Sequence, residues 1–205
     1  MIVANWKANG ETQKNYQWFK TFHSLVDTRA LNCVGISPSH IHFHQLKTLF
    51  QKTDVMIGMQ DIDIEGGART GSISASMASD EDCSFTLVGH SERRDFHKET
   101  NAIIKKKILT AWQNKLTIIL CVGENLDIAK KSLTNEYILQ QLKGSLPANI
   151  DKQKLIIAYE PIWAIGSGKI PTLQQIKNVH NFIRSLLCEI YGKSVGQEIR
   201  IIYGG

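Results

Sequence analysis

Seven short apolar runs alternate along this chain with longer segments of helical periodicity, and this alternation constrains the fold more than any other feature. The runs are rich in β-branched residues and are bounded by Gly, Asn, Asp or Ser, which is typical of strands buried on both faces of a parallel sheet. They cover residues 2–4, 33–36, 55–59, 85–88, 116–122, 155–159 and 199–203. Strands that alternate with helices predict an α/β fold with right-handed crossovers.

Three of the intervening segments carry an apolar stripe at the spacing of an amphipathic helix, which we interpret as core packing. The stripes are Phe19, Phe22, Leu25 and Val26; Ile104, Ile108, Ala111 and Trp112; and Leu173, Ile176, Val179, Ile183, Leu186, Leu187 and Ile190. Thr172 precedes the third stripe, with Gln175 three residues later, which is a capping-box pattern. Periodicity alone does not separate an open doubly wound sheet from a closed barrel.

The composition is that of an ordinary globular chain, and no linker or low-complexity stretch marks a domain boundary. Hydrophobic residues make up 42% of the chain and charged residues 21%. We therefore predict a single domain over residues 1–205. The net charge of +5 raises the alternative of a nucleic-acid binder. The cations are scattered except for the lysines at 105–107, which we interpret as a solvated helix face, and no recognition motif is present, so we predict no nucleic-acid partner.

The cysteines and the N-terminal residues indicate the cellular compartment of the protein. The four cysteines have neither a CxxC pair nor a zinc-ligand spacing, which favours free thiols in a reducing compartment and no metal site. Residues 1–7 lack the basic start and the long apolar middle of a signal peptide. No apolar run approaches the roughly 18 residues that a membrane span requires. We expect a cytoplasmic protein with no membrane partner.

Polar residues follow several of the predicted strands, at the edge where parallel βα sheets assemble their active sites. The first strand leads into Asn5 and Lys7, the fourth into His90 and Glu92, and the sixth into Glu160. A lysine, a histidine and a glutamate at one edge provide a cation, a proton donor and a base, which suits proton abstraction beside a carbonyl. Taken alone, Lys7 would be interpreted as a surface cation, His90 as a hydrogen-bonded polar residue at a strand end, and Glu160 as part of a turn. Their occurrence at successive strand ends favours the catalytic interpretation.

Three motifs resemble those of the triosephosphate isomerase family in order and spacing. They are Asn5-Trp6-Lys7, the Gly-His-Ser-Glu-Arg-Arg of residues 89–94, and the Ala-Tyr-Glu-Pro-Ile-Trp-Ala-Ile-Gly of residues 158–166. The resemblance runs over residues 1–205 and implies an α/β fold of the (β/α)8 TIM-barrel type. It also implies an isomerase of glycolysis and gluconeogenesis, which interconverts dihydroxyacetone phosphate and glyceraldehyde 3-phosphate through an enediolate, without a cofactor or a metal.

The resemblance assigns roles to individual residues. Glu160 would be the base that carries the proton, and His90 the electrophile that hydrogen-bonds the reacting oxygen. Lys7 would be both catalytic and substrate-binding, Asn5 would help to bind the substrate, and Glu92 would be a polar neighbour that supports the site.

Residues 161–171 resemble the lid of that family. Gly166 would offer its backbone N–H to the substrate phosphate. Trp163 would meet Glu124 when the lid closes, and closure would exclude water from the intermediate. Cys121 would be a small packing residue close to the site.

The stretch from Gln60 to Ala78 resembles the loop through which the family's subunits form a homodimer, with Thr70 reaching the partner's site. Two residues depart from the family's pattern: Asp61 stands where Asn is usual, and Ser72 stands where Glu is usual. These departures bear on the strength of the dimer contact.

The sequence stops at Gly205, just after its seventh predicted strand, whereas a closed (β/α)8 barrel needs eight. We expect the last strand and helix to be absent from this sequence and the polypeptide to continue. The alternative to an isomerase is a truncated, catalytically inactive barrel that acts as a binding or assembly module.

Overall fold

The computed structural model describes residues 1–149 and 151–204, without the side chains of Thr28 and Lys152. The chain forms two compact units, Met1–Leu87 and a second that starts at Val88, and each is described by itself. The single domain over residues 1–205 stays a prediction, and its last residue, Gly205, lies outside the described residues.

The first unit is built on parallel strands that pair in chain order. β1 pairs with β2 from Ile2 opposite Val34 to Asn5 opposite Ser37. β2 pairs with β3, and β3 pairs with the start of β4. The strands are β1 (Ile2–Asn5), β2 (Val34–Ser37), β3 (Met56–Met59) and β4 (Phe85–Val88), and the helices are α1 (Thr12–Leu25), α2 (Phe43–Phe50) and α3 (Ala75–Asp80), with 3-10 turns at Thr28–Cys33 and His40–His42.

Close packing explains a glycine inside β3. The Phe85 ring is completely buried, and a Cβ on Gly58 would lie 2.5 Å from it, so only glycine fits there. Aromatic rings join α1 to α2, with the rings of Phe19 and Phe50 4.9 Å apart. Leu25, which the first predicted stripe includes, is 78% exposed because it is the last residue of α1 and extends past the packed face.

The second unit repeats the parallel pattern. β5 pairs with β6 from Ile118 opposite Leu155 to Val122 opposite Tyr159, and β6 pairs with β7. The strands are β5 (Thr117–Val122), β6 (Leu155–Tyr159) and β7 (Arg200–Tyr203). The helices are α4 (Ser91–Phe96), α5 (Asn101–Gln113), α6 (Leu126–Lys130), α7 (Thr134–Ser145), α8 (Leu173–Tyr191) and α9 (Lys193–Glu198), with 3-10 turns at Lys152–Lys154 and Ile162–Ala164.

All seven predicted strands are present, with bounds that differ from the prediction by no more than one residue at either end. The capping box of α8 is confirmed, because Thr172 and Gln175 each bond the other's backbone. The buried face of α8 carries Val179, Ile183, Leu186 and Leu187, as predicted. Leu173 is instead 86% exposed, since the first turn of this helix projects beyond the core.

The interpretation of the lysines at 105–107 as a solvated helix face is wrong for Lys107. This residue shares the inner face of α5 with Ile104, Ile108 and Ala111 and is only 3% exposed. Its Nζ lies 2.6 Å from Oε1 of the buried Glu99. The ion pair explains how a cation is accommodated there, because an unpaired buried charge is strongly destabilising.

No helix within the described residues is long and apolar enough to cross a membrane.

Candidate active site

His90 lies just beyond β4 and caps the N-terminus of α4. Its carbonyl accepts hydrogen bonds from the N–H groups of Arg93 and Arg94, and its Nδ1 accepts one from the N–H of Glu92 at 3.2 Å. The residue is 5% exposed, so its orientation is fixed by packing as well. Because Nδ1 is an acceptor, the proton of the neutral imidazole is carried by Nε2.

Glu160 follows β6 directly, and its N–H donates to the Val122 carbonyl at 2.8 Å, which extends the pairing with β5 by one bond. Its Oε2 lies 3.6 Å from Nε2 of His90, and its Oε1 lies 3.7 Å from Sγ of Cys121. The fold therefore brings together the predicted base and the predicted electrophile, 70 positions apart in sequence.

Cys121 does more than fill space beside the site. Burial, and then the charge of the neighbouring Glu160, raise the pKa of the Cys121 thiol well above its ordinary value. The group is therefore protonated and donates toward the Glu160 carboxylate. Sequence reasoning identified Cys121 as a packing residue near the site and missed its contact with Glu160. The contact could have been expected, because Cys121 lies on the strand next to the one that Glu160 follows.

Glu124 is a second carboxylate at the end of β5, and it contacts the segment after Glu160. Trp163 Nε1 donates to Glu124 Oε1 at 2.9 Å, so the expected contact between these residues is present. The Tyr159 hydroxyl donates to the same oxygen at 3.2 Å. Burial raises the pKa of Glu124, and these hydrogen bonds oppose the rise.

A small cavity opens beside Glu160, and Arg94 forms part of its wall. The guanidinium of Arg94 donates to the Gly89 carbonyl at 2.8 Å, to Asn101 Oδ1 at 2.7 Å and to the Cys121 carbonyl at 3.3 Å. Burial lowers the pKa of Arg94. Sequence reasoning did not assign it a role, although it belongs to the motif at 89–94. The cavity is lined by Gly89, Ser91, Arg94, Cys121, Val122, Gly123, Glu160 and Ile162.

Glu92 and Gly166 differ in what surrounds them. Glu92 Oε2 is 3.6 Å from Nδ1 of His90, but the hydrogen bond to that nitrogen comes from the Glu92 backbone. Gly166 is exposed, has a φ of 66° in the left-handed region that favours glycine, and a Cβ added there would meet nothing within 4 Å. Open space in front of its backbone is what a phosphate would require.

Lys7 and Asn5 lie in the first unit, at the end of β1. Lys7 has a φ of 52°, a strained conformation for a residue with a side chain, which costs of order 1–3 kcal/mol. Two side chains hold it: Asn5 Oδ1 accepts from the Lys7 N–H at 3.0 Å, and Gln60 Nε2 donates to the Lys7 carbonyl at 2.9 Å. Gln60 also donates to the Ser37 carbonyl at 3.0 Å, a positioning contact that sequence reasoning missed.

Comparison with known proteins places this geometry in one family. The family model for triosephosphate isomerase matches residues 1–205. Triosephosphate isomerases from Magnetococcus marinus and Thermus thermophilus are each 36% identical to the chain, over all of it and 83% of their own length. The crystal structure of the triosephosphate isomerase from Bartonella henselae is similar with a TM-score of 0.85 and 30% identity, over 100% of this chain and 81% of that one.

The predicted fold class is confirmed by these relationships, because the solved relative and the family model are those of a TIM barrel. With similarity over its whole length and the motifs at the ends of its strands, the chain belongs to the triosephosphate isomerase family.

Proposed function

We propose that this chain interconverts dihydroxyacetone phosphate and glyceraldehyde 3-phosphate by proton transfer through an enediolate, as an isomerase of glycolysis and gluconeogenesis. The observation that carries the proposal is the pairing of Glu160 with His90, with 3.6 Å between Oε2 and Nε2. A carboxylate and an imidazole N–H at that separation can act on adjacent atoms of one small substrate. Membership of the family supports the same chemistry.

Glu160 takes a proton from the carbon beside the carbonyl. The electron pair of the broken C–H bond forms the C=C bond of the enediolate, and the π electrons of the carbonyl move to its oxygen. The Nε2–H of His90 donates a hydrogen bond to that oxygen as its negative charge develops. Glu160 then returns its proton to the former carbonyl carbon, while the hydroxyl proton of the neighbouring carbon passes to the oxyanion through Nε2 of His90. Both groups end in their starting protonation states, so the reaction leaves the enzyme unchanged and uses no cofactor. The Glu92 N–H keeps His90 in the donating tautomer by occupying Nδ1.

Substrate binding is assigned to Asn5, Lys7 and Gly166 from the family resemblance. The ammonium of Lys7 provides positive potential for the phosphate and for the enediolate, and Asn5 supports the strained backbone that presents it. The Gly166 N–H binds the phosphate. The bond between Trp163 and Glu124 holds the segment after Glu160 over the site, where it excludes water.

The proposal includes a cytoplasmic homodimer that contacts its partner through the 60–78 loop, with no nucleic-acid or membrane partner. This loop is braced internally: the Asp63 N–H donates to the Ile73 carbonyl at 2.8 Å, and Arg69 pairs with Glu65 at 2.6 Å. Ser72, which replaces the usual Glu, donates to Asp63 at 2.5 Å and so contributes to the brace. Bracing leaves Thr70 exposed at the loop tip and available to a partner.

The inactive binding module is the less favoured function. The chain has both His90 and Glu160, and their side chains lie close enough to act on one small substrate. An isomerase assay on the purified protein, following glyceraldehyde 3-phosphate by NMR, tests the proposal, and we expect turnover without added metal or cofactor. Light scattering on the same sample should give twice the chain mass. A folded protein with no turnover would contradict the isomerase function, and a monomer would contradict the dimer alone.

A further inference from the structure

Gln141 lies on α7, and both polar atoms of its side chain form hydrogen bonds to the backbone of one glycine, Gly123. Its Oε1 accepts from the Gly123 N–H at 2.9 Å, and its Nε2 donates to the Gly123 carbonyl at 3.2 Å. The side chain is 4% exposed, so these bonds are not shared with bulk water. We propose that Gln141 is a positioning residue for the base Glu160, acting through Gly123; the inference rests on the isomerase function proposed above.

The location of Gly123 explains why such a clamp is needed. The last register pair between β5 and β6 joins Val122 to Tyr159, so Gly123 is the first residue beyond the paired strands. A buried peptide without a strand neighbour requires other partners for its N–H and its carbonyl. The carboxamide of Gln141 supplies a donor and an acceptor side by side, as a neighbouring strand would.

Gly123 is in close contact with the backbone that carries the base. A Cβ at this position would lie 1.7 Å from the Glu160 carbonyl oxygen. On either side of Gly123, the Val122 carbonyl accepts from the Glu160 N–H at 2.8 Å and the Glu124 carbonyl accepts from the Ile162 N–H at 3.0 Å. A rotation of the Gly123 peptide would therefore displace Glu160 and the start of the segment that carries Trp163.

The distances between catalytic groups make such a displacement costly for turnover. A misplacement of about 1 Å can lower a rate by about 10²-fold. Gln141 lies behind the Gly123 backbone and has no contact with His90 or with the Glu160 carboxylate among its bonds. Its loss should therefore affect the chemical step rather than the binding of substrate, and lower kcat with little change in KM.

The adjacent residue Gln140 offers a matched control, because its side chain is exposed and the same substitution leaves its backbone in place. We would compare Gln141→Met with Gln140→Met in isomerase kinetics and in hydrogen–deuterium exchange at the Gly123 amide. For Gln141→Met we expect kcat to fall by about 10- to 100-fold, KM to stay within about threefold, and exchange at Gly123 to accelerate. Gln140→Met should match the wild type in all three.

A second variant covers the case in which Gln141→Met does not fold. Gln141→Asn keeps a carboxamide but withdraws it by one methylene, and we expect the same loss of kcat and the same faster exchange. Faster exchange at Gly123 with an unchanged kcat would overturn the positioning role while leaving the clamp intact. An inactive wild type would overturn the isomerase function and this inference together, whereas an active wild type that both Gln141 variants match would overturn the inference alone.

Discussion

The strand ends of the second unit and the 60–78 loop of the first unit both present polar residues after parallel strands, but they are held in different ways. Around Gly123 and Glu160, backbone packs directly on backbone, and the carboxylate of Glu124 is buried. The 60–78 loop is exposed over much of its length, and its shape depends on ion pairs between Arg69, Glu65 and Asp63. The backbone of the first region is tightly packed, whereas much of the second is exposed to solvent.

This difference suits the role proposed above for each region. Proton transfer needs its groups placed within a fraction of an ångström, and close packing provides that accuracy. The loop proposed to meet a partner needs accessible side chains, and its partly exposed ion pairs constrain it weakly because water and salt screen them. The two regions should therefore respond very differently to equivalent substitutions.

Shortening a glutamate by one methylene gives the largest expected contrast. Glu160→Asp withdraws the base from its substrate, and we expect kcat to fall by about 10²-fold or more, since a positioned base contributes about 10²–10⁴. Glu65→Asp, in the 60–78 loop, should leave kcat within about twofold, because a solvated side chain adjusts freely. Steady-state kinetics would measure the activity of both variants, and circular dichroism would check their fold. Near-normal turnover in Glu160→Asp would show that Glu160 is not the base.

Adding one methyl group to a glycine in each region should give the next largest contrast. Gly123→Ala places a Cβ 1.7 Å from the Glu160 carbonyl oxygen, and we expect the free energy of unfolding to fall by more than about 4 kcal/mol. Gly66→Ala meets its nearest atom, Cβ of Ser74, at 3.4 Å and should change stability by no more than about 1 kcal/mol. Urea denaturation would measure both, and equal effects would show that the two regions are equally tolerant.

The pH dependence of stability tests the effect of burial on charge in the strand-end region. The pKa of Glu124 is raised above its ordinary value of 4.5 mainly by burial, so the folded state favours the protonated form. The stability that this preference contributes is present below pH 4.5 and is lost as the pH rises through the raised pKa. Glu124→Gln removes the titration. Its denaturation midpoint should therefore rise relative to that of the wild type between pH 4 and pH 8; a constant difference would contradict the burial effect.

The smallest effect is expected from the ion pairs of the 60–78 loop. Arg69→Met removes the contacts to Glu65 and Asp63, and we expect faster amide exchange across residues 63–73 with an unchanged global denaturation midpoint. The difference from the wild type should shrink at 1 M salt, where exposed charges are screened. A large drop in the midpoint would mean that this loop is as tightly built as the strand ends.

Much of the fold and the main candidate catalytic groups could be predicted from local signals. The seven strands follow from β-branched runs, and the start of α8 follows from Thr172 and Gln175. His90 and Glu160 could be singled out because they stand directly after strands of a parallel sheet, where the topology gathers functional side chains. None of these inferences requires knowledge of which residues meet across the fold.

The supporting contacts could not be found in this way, because they join residues that are distant in sequence. Helical periodicity predicted Lys107 on a solvated face, because the pattern of one helix does not reveal that the buried Glu99 pairs with the Lys107 ammonium in the interior. Gln141 is one of two adjacent glutamines, and only the packing of α7 on β5 distinguishes the clamp from its exposed neighbour.

The sequence by itself therefore determined the alternation of strands and helices, the family and which residues are proposed to react, because these depend on residue type and on short-range order. The tertiary structure alone decided that His90 and Glu160 lie 3.6 Å apart, that Cys121 contacts Glu160 and that Gly123 packs against the Glu160 backbone. Those distances arise from close packing between separate strands and helices, where each position depends on all its neighbours at once.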